Sequence, residues 1–361
     1  MESVLLSTSR PIRQVGAKND ETYKRVTARA TFKQVGEFTN DEDPAFKPRL
    51  VRKDNRGNVY ILGRMEKFFV LDSPSAAKPF RVRKERPCPG FSKGGNDIIE
   101  VLKAGAYWFF FSREQKIQLF KDDTLVAELT VKFKGLLAED ASRFVETDGV
   151  WMYFINDDDV LVKGNIKQII NDPNGYKFEE LAEEVNSFLL TPEGQLGPVL
   201  KTGNKLHMEL QKEIKHSLAG SEDTTRMACI DGHYLISTHD KHKRILSLYD
   251  KDLKLCDTLE FSGDWKEESY HHIHLIKTGV VDKISVAIIG FCDIEIAAVS
   301  VRKGKITLLS GPTEIYAKTS LLCLEIMETG YVYVSLYATD LKEDKSTVNP
   351  VKLFKLTFPS N

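Results

Sequence analysis

Short apolar runs alternate with polar turn segments along the whole chain. A turn signal followed by an aromatic or β-branched run recurs with a glycine at Gly57, Gly105, Gly149, Gly194, Gly232, Gly279 and Gly330. The spacings between these glycines are 48, 44, 45, 38, 47 and 51 residues. Each glycine follows a short apolar segment and precedes a longer one, as a tight hairpin requires, because glycine adopts positive φ at little cost. The pattern predicts seven copies of one hairpin-based unit.

Each unit also contains a third strand. The third strands are Phe68–Leu71, Ile117–Phe120, Val160–Val162, Leu206–Leu210, Ile245–Tyr249, Ile294–Val301 and Leu353–Thr357. Most units add a fourth strand. A four-stranded meander cannot bury both of its faces alone, whereas radial stacking in a closed ring buries them and leaves only short edges. The sequence therefore predicts an all-β fold, a single seven-bladed β-propeller. A β-sandwich or a pair of β domains is the alternative, which the regular glycine period disfavours.

One segment resembles a known repeat family. The run ILSLYDKDLKLCDTLEFSGD (Ile245–Asp264) is similar to the third and fourth strands of a WD40 repeat, with Tyr249 and Asp250 where that family has its Trp-Asp pair. Phe68–Asp72 and Lys116–Asp122 show the same feature more weakly, and the Gly-His pair of the family is missing. The resemblance implies a divergent WD40-like propeller over about residues 48–357.

The chain ends shape the domain assignment. Residues 1–25 are predicted to be a polar N-terminal lead, and residues 26–361 the propeller. The last unit stops after its third strand, so we expect the alternating segment Val26–Gln34 to supply the missing strand and close the ring. One short helical insertion is predicted near 176–188, because Phe178, Leu181, Val185 and Phe188 follow one another at helical spacing.

The cysteine pattern favours an intracellular protein, and the sequence assigns no cofactor. Apolar residues make up 42% and charged residues 29% of the chain, and no apolar run approaches the ~18 residues of a membrane helix. The five cysteines are odd in number and form no C-x-x-C pair, which is typical of a reducing compartment. We expect a cytoplasmic or nuclear location, other proteins of a complex as partners, and no membrane insertion.

The first blade is the main candidate binding surface. Residues 1–93 carry 20 Lys and Arg against 11 Asp and Glu. The candidate partner-binding residues of this blade are Lys47, Arg49, Arg52, Lys53, Lys78, Arg81, Arg83, Lys84 and Arg86. Such a basic stripe could bind phosphates or an acidic protein surface. The alternative interpretation is an outer edge strand that its charges protect against aggregation.

His272 and His274 are candidate metal ligands. Residues i and i+2 of a strand point to the same face, where two imidazoles can share a metal ion. The sequence alone favours hydrogen-bonded histidines in a hydrated channel and assigns no metal. No G-x-S-x-G motif is present, so no catalytic residue is predicted.

Three functional hypotheses follow from these features. The favoured one is a non-enzymatic protein-interaction scaffold that holds partners on its top face and rim, within an intracellular multiprotein assembly. The second is a nucleic-acid-associated propeller that uses the basic first blade. The third is a propeller enzyme or small-ligand binder at the central channel, with the histidines of 271–274 as its best residues.

Overall fold

The apolar runs of the sequence form seven sheets of four antiparallel strands in the computed structural model, one of which carries a short fifth strand in parallel. The structure describes residues 13–15, 30–38, 48–53, 58–63, 67–72, 74, 80, 82–87, 98–104, 106–112, 115–121, 124–132, 145–202, 206–210, 213–218, 225–240, 243–262, 272–292, 295–315, 319–338 and 351–358. Each sheet is one blade, and its strands are called A to D from the channel outwards. Strands are numbered in chain order. The predicted seven-bladed propeller is confirmed.

Blades 1 to 3 follow the predicted order. Blade 1 comprises β3 (Pro48–Lys53), β4 (Val59–Gly63), β5 (Lys67–Leu71) and β6 (Val82–Pro87). Blade 2 comprises β7 (Ile98–Ala104), β8 (Tyr107–Ser112), β9 (Lys116–Lys121) and β10 (Thr124–Thr130). Blade 3 comprises β11 (Val145–Thr147), β12 (Trp151–Ile155), β13 (Leu161–Asn165) and β14 (Glu179–Ala182), with helix α1 (Ile166–Asn171) between β13 and β14.

Blades 4 to 7 complete the ring. Blade 4 comprises β15 (Val185–Leu190), β16 (Leu196–Thr202), β17 (Leu206–Leu210) and β18 (Glu213–Ser217). Blade 5 comprises β19 (Arg226–Ile230), β20 (His233–Asp240), β21 (Lys243–Tyr249) and β22 (Leu255–Ser262). Blade 6 comprises β23 (Ile273–Val281), β24 (Ile284–Phe291), β25 (Glu295–Arg302) and β26 (Lys305–Glu314). Blade 7 comprises β27 (Thr319–Ile326), β28 (Tyr331–Ala338), β29 (Val351–Thr357) and, as strand D, β2 (Thr31–Phe38).

The hydrophobic core lies between the blades. The described buried side chains form clusters that adjacent blades share, such as Tyr60 and Phe68 of blade 1 with Trp108 of blade 2. A corresponding cluster joins Tyr333 of blade 7 to Ile61 of blade 1 across the ring closure. Because each blade buries its faces only against its neighbours, the closed ring stabilises every blade.

An N-terminal strand closes the last blade, as predicted. Strand β2 pairs with β29 in antiparallel register, from Thr31 opposite Thr357 to Phe38 opposite Val351. The strand begins five residues later and ends four residues later than the predicted Val26–Gln34, of which 26–29 lie outside the described residues. In the predicted lead, Arg13–Val15 form β1, a parallel fifth strand on β22 of blade 5. The rest of that lead is also outside the described residues.

The predicted short helix exists, but the placement near 176–188 is wrong. That segment forms β14 and β15, separated by a turn in which Glu184 has φ +56°. Blade 3 needs a fourth strand and blade 4 a first strand, and this sheet pairing outweighs the helical spacing of the apolar residues. The helix is α1, where Asn165 accepts a hydrogen bond from the backbone N of Gln168 as N-cap.

The predicted hairpin at Gly279 is also wrong. Gly279 lies inside β23, where a Cβ atom would meet Ile326 of blade 7 at 3.2 Å. The turn is formed by Asp282 and Lys283, with φ of +48° and +65°. Both central residues of a type I′ hairpin turn need positive φ, and Asp is among the residues that tolerate it. Gly279 therefore allows blades 6 and 7 to pack closely.

Candidate functional site

Most of the predicted basic residues lie outside the region whose side chains the structure describes. Lys47, Lys78 and Arg81 lie outside the described residues. Arg49 lies on β3, and Arg83, Lys84 and Arg86 lie on β6, where the backbone alone is described. Strand β6 is the outermost strand of blade 1. A binding role for these residues stays a prediction.

Arg52 and Lys53 have described partners in neighbouring blades. The Arg52 Nε atom donates to Glu100 Oε1 of blade 2 at 2.8 Å, and its Nη2 atom pairs with Glu100 Oε2. Its Nη1 atom donates to Cys323 Sγ of blade 7 at 2.7 Å. Lys53 is exposed, and its Nζ atom donates to the Ile326 carbonyl oxygen at 2.7 Å. Arg52 therefore lies in the channel wall, where it links three blades.

Charged side chains ring the central channel. Six of the seven A strands contribute charged side chains to its lining, namely Arg52, Glu100, Glu146, Arg226, Lys277 and Glu325, with Lys53 and Lys103 as second charges on β3 and β7. Besides the Arg52–Glu100 pair, Lys277 Nζ lies 3.6 Å from Glu325 Oε2. Arg226 Nε donates to the His274 carbonyl oxygen at 2.7 Å. Together with the Arg52–Cys323 contact, these contacts connect five consecutive blades of the ring, in the order 5, 6, 7, 1 and 2.

The channel is a cavity of about 790 Å³, lined by both charged and apolar side chains. Glu146 lies inside it, and burial raises the pKa of this carboxyl group to about 7. Lys277 and Arg52 act in the opposite direction, while Glu100 and Glu325 raise the pKa further. The charge of Glu325 raises the pKa of Lys277. The ring therefore holds ion pairs together with one carboxyl group that is half protonated near neutral pH.

His272 and His274 converge with a cysteine that the sequence interpretation did not select. One possible ligand atom from each of His272, His274 and Cys292 lies within 4.8 Å of the others. Cys292 follows the end of β24, and its backbone N donates to the His272 carbonyl oxygen at 3.2 Å. All three residues are half-buried.

The two faces of the ring are distinguished by their turns. Strand direction alternates within a blade, so the A–B and C–D turns emerge on one face, here called the AB/CD face. The B–C turns and the interblade loops emerge on the opposite BC/DA face. Adjacent A–B turns touch: a Cβ atom on Gly194 would lie 2.6 Å from Asp148 Cβ, and Ser285 Oγ donates to Asp231 Oδ1. The contacts show that neighbouring blades share one orientation.

Exposed apolar side chains gather on the AB/CD face. The large apolar residues that the structure describes as exposed are Val82, Leu125, Val126, Val150, Leu196, Val280 and Ile284. Each lies in, or within three residues of, an A–B or C–D turn. Val150 and Val280 are the most exposed, at 57% and 48%. Scattered exposed apolar residues are ordinary, whereas their concentration on one face is characteristic of an interaction site.

The A–B turns also carry an excess of negative charge. Exposed carboxylates occur at five successive described turns, in Asp148, Glu193, Asp231, Asp282 and Glu328. Lys283 is the exposed basic residue in the same described turns. The inner part of the AB/CD face, around the channel mouth, therefore combines apolar and acidic side chains.

The sequence contains a pattern that marks three of the charged residues in the channel. Arg52, Glu100 and Glu325 each lie five residues before the hairpin glycine of their unit, at Gly57, Gly105 and Gly330. A charged residue in the middle of a short apolar strand, repeated at the same place in several units, indicates a lumen-facing position. No comparable signal marked Cys292, because strand pairing alone brings it to the histidines.

Comparison with known proteins is informative only at the level of fold. No family model and no curated protein matches the sequence. Among solved structures, BBS1N in complex with ARL6DN aligns with a TM-score of 0.60 at 10% identity, over 92% of this chain and 99% of that one. The β-propeller domain of Cps50 (Swd1) from Myceliophteria thermophila aligns with a TM-score of 0.58 at 11% identity, over 91% and 100%. The chain has a WD40-like propeller fold.

A third match supports the same WD40-like fold. The WD40 propeller domain of Doa1 aligns with a TM-score of 0.56 at 11% identity, over 90% of this chain and 97% of that one. Tyr249 and Asp250 stand at the end of β21, the third strand of blade 5, as the sequence resemblance implies. The Tyr249 ring is fully buried, and Asp250 Oδ1 accepts hydrogen bonds from the backbone N atoms of Asp252 and Lys254. Within the described ranges, no helix has the length and apolar character to cross a membrane.

Proposed function

We propose that this chain is a non-enzymatic interaction scaffold that binds a protein partner on its AB/CD face, within an intracellular assembly. The observation that carries the proposal is the placement of the exposed apolar residues. Water-exposed Val, Leu and Ile side chains at seven described positions all lie at the turns of one face. Burying apolar area against a partner contributes roughly 25 cal/mol per Å², so this face gains most from binding.

The sequence analysis expected partners on the top face, by convention the face of the interblade loops. The exposed apolar residues favour the opposite face. The chemistry of the proposed partner follows from charge complementarity. Glu193 and Asp231 line the channel mouth, and Asp148, Val150 and Leu196 lie in or next to the A–B turns of blades 3 and 4. A partner segment with apolar side chains and an excess of Lys and Arg fits this surface.

Propellers of the same fold occur in assemblies. BBS1N was solved in complex with ARL6DN, and another structural match, with a TM-score of 0.57 at 9% identity, is a chain of a mitotic checkpoint complex. These names describe those proteins, and they support a binding role for this chain by analogy of fold alone.

The proposal is tested by quantitative affinity capture with matched variants. Val150→Lys combined with Val280→Lys adds positive charge to the apolar part of the AB/CD face. We expect the amount of specifically captured partner to fall at least tenfold, while thermal unfolding changes little, because exposed substitutions usually cost less than about 0.5 kcal/mol.

The control places two lysines on the opposite face, where the net charge changes by +3 rather than by the +2 of the AB/CD variant. Thr130 and Glu314 are exposed at the ends of β10 and β26, far from the A–B and C–D turns. Thr130→Lys combined with Glu314→Lys should leave capture unchanged. Equal loss in both double variants, or loss in the control alone, would contradict an AB/CD binding face.

A further inference from the structure

Three metal-ligand side chains meet at the BC/DA face of blade 6. His272 immediately precedes β23, His274 is its second residue, and Cys292 immediately follows β24. Because β23 and β24 are antiparallel, the start of one strand lies beside the end of the other. The register shifts between Ile273 and Leu275, which makes His274 the extra residue of a β-bulge. A bulge of this kind redirects a side chain.

The distances suit one small cation. Cys292 Sγ lies 3.3 Å from His272 Nε2, and the imidazole rings of His272 and His274 have centroids 5.8 Å apart. Ligands at 2.0–2.3 Å from a tetrahedral zinc ion are separated by about 3.3–3.6 Å. The three ligand atoms, mutually within 4.8 Å, would need only small side-chain rotations to reach that spacing.

The three side-chain donor atoms favour Zn²⁺ over other cations. One thiolate and two imidazoles are ligands that Zn²⁺ prefers, and carboxylate-seeking ions such as Mg²⁺ and Ca²⁺ bind them poorly. Three protein ligands leave a fourth tetrahedral position open for water or for a donor atom from a partner. The backbone supports the arrangement, since the His272 carbonyl accepts from Cys292 N and the His274 carbonyl accepts from Arg226 Nε at 2.7 Å.

We propose that His272, His274 and Cys292 bind one Zn²⁺ ion. The ion would join the first two strands of blade 6 at the face opposite the proposed partner surface, so this inference does not depend on the proposed function. Bound Zn²⁺ would also stabilise the folded chain, because the unfolded chain does not preform the site.

The test is a zinc titration of the untagged full-length chain after treatment with a chelator. Isothermal titration calorimetry should give one Zn²⁺ per chain. His272→Gln, His274→Gln and Cys292→Ser should each weaken binding by more than about 100-fold, because even groups that only orient ligands are worth 10- to 100-fold. His233→Gln and Cys256→Ser, which alter a histidine and a cysteine of blade 5 outside the site, should leave the affinity unchanged.

A spectroscopic test on the unaltered chain does not depend on how well the variants fold. Co²⁺ in place of Zn²⁺ should give a thiolate-to-cobalt charge-transfer band and the visible bands of tetrahedral cobalt, and Zn²⁺ should displace both. A chain that binds no Zn²⁺, or whose Co²⁺ spectrum lacks the thiolate band, has a metal-free Cys292–His272 contact, and the proposal is wrong. Unchanged zinc affinity in the three ligand variants would overturn it equally.

Discussion

Arg52 of blade 1 and Glu100 of blade 2 form a two-pronged ion pair across a blade boundary. The Glu100 side chain is 2% exposed and that of Arg52 is 17% exposed. Glu100 Oε1 also accepts from the backbone N of Val101 at 2.8 Å. A guanidinium and a carboxylate that pair through two parallel hydrogen bonds form one of the stronger polar contacts in proteins. The contact between Arg52 and Cys323 connects this ion pair to blade 7.

Removing the charge of Glu100 should destabilise the ring. Glu100→Gln leaves the Arg52 guanidinium inside the channel without its counter-ion, and breaking a buried pair in this way costs about 3–5 kcal/mol. The exposed pair between Lys116 and Glu128, at 3.5 Å, offers a comparison. Glu128→Gln should cost less than about 1 kcal/mol. Urea unfolding at neutral pH measures the change in unfolding free energy of each variant. Equal losses would show that the channel ion pair stabilises the chain no more than an exposed ion pair does.

Stability should depend on pH through Glu146. Its pKa is raised from 4.5 to about 7 by burial, so the folded state favours the protonated form. The native chain then binds more protons than the unfolded chain between about pH 4.5 and 7, and its stability falls as pH rises through this window. The full effect is at most about 3 kcal/mol, reduced by water in the channel.

Glu146→Gln isolates this contribution, because the amide resembles the protonated carboxyl group. The variant and the unaltered chain should have similar unfolding free energies below pH 4.5, and the variant should be more stable at pH 8. The other titrating groups cancel in the difference between the two chains. A difference that stays constant from pH 4 to 8 would contradict the raised pKa.

Ring closure by β2 is testable with a cross-link. Thr31 Oγ1 and Thr357 Oγ1 are 3.1 Å apart, although the residues are 326 positions apart in sequence. Thr31→Cys with Thr357→Cys should form a disulfide that stabilises the chain by up to about 5 kcal/mol over its reduced form. Thermal unfolding with and without reductant measures the gain.

Deletion of residues 1–38 should instead expose β29 and cause aggregation. Failure of the disulfide to form, or a monomeric deletion variant with an unchanged melting temperature, would contradict the closure.

The basic residues of the first blade are predicted either to bind an anionic partner or to protect an edge strand against aggregation. If they bind an anionic partner, Arg81→Glu with Arg83→Glu should weaken that association sharply and leave the melting temperature nearly unchanged. If the charges protect the outer strand β6, binding should stay unchanged and aggregation should increase. Light scattering alongside a binding assay distinguishes these outcomes.

The sequence predicted the architecture because each blade repeats the same local pattern. Hairpin signals at Gly149, Gly194, Gly232 and Gly330 coincide with A–B turns. The local sequence pattern gave wrong predictions at two places where tertiary packing determines the structure. Gly279 permits close contact with Ile326, and the apolar spacing around Phe178 and Val185 belongs to two strands of different blades.

The candidate sites were less predictable than the fold. Arg52 was selected for its charge, but its pairing with Glu100 depends on a contact between blades. His272 and His274 were selected for their spacing, whereas Cys292 required the β23–β24 pairing. The AB/CD face could not be identified from sequence, because its exposed apolar residues are spread from Val82 to Ile284 and only the ring brings them to one side.

Photo-crosslinking from the two faces tests the central claim most directly. A photoreactive amino acid is placed in turn at Val150, Leu196 and Val280 on the AB/CD face, and at Thr130 and Glu314 on the BC/DA face, in the full-length chain in cells. The account predicts that the three AB/CD positions cross-link to the same protein and that the two control positions do not cross-link to it. A partner that cross-links from Thr130 or Glu314 and from none of the three AB/CD positions would contradict it.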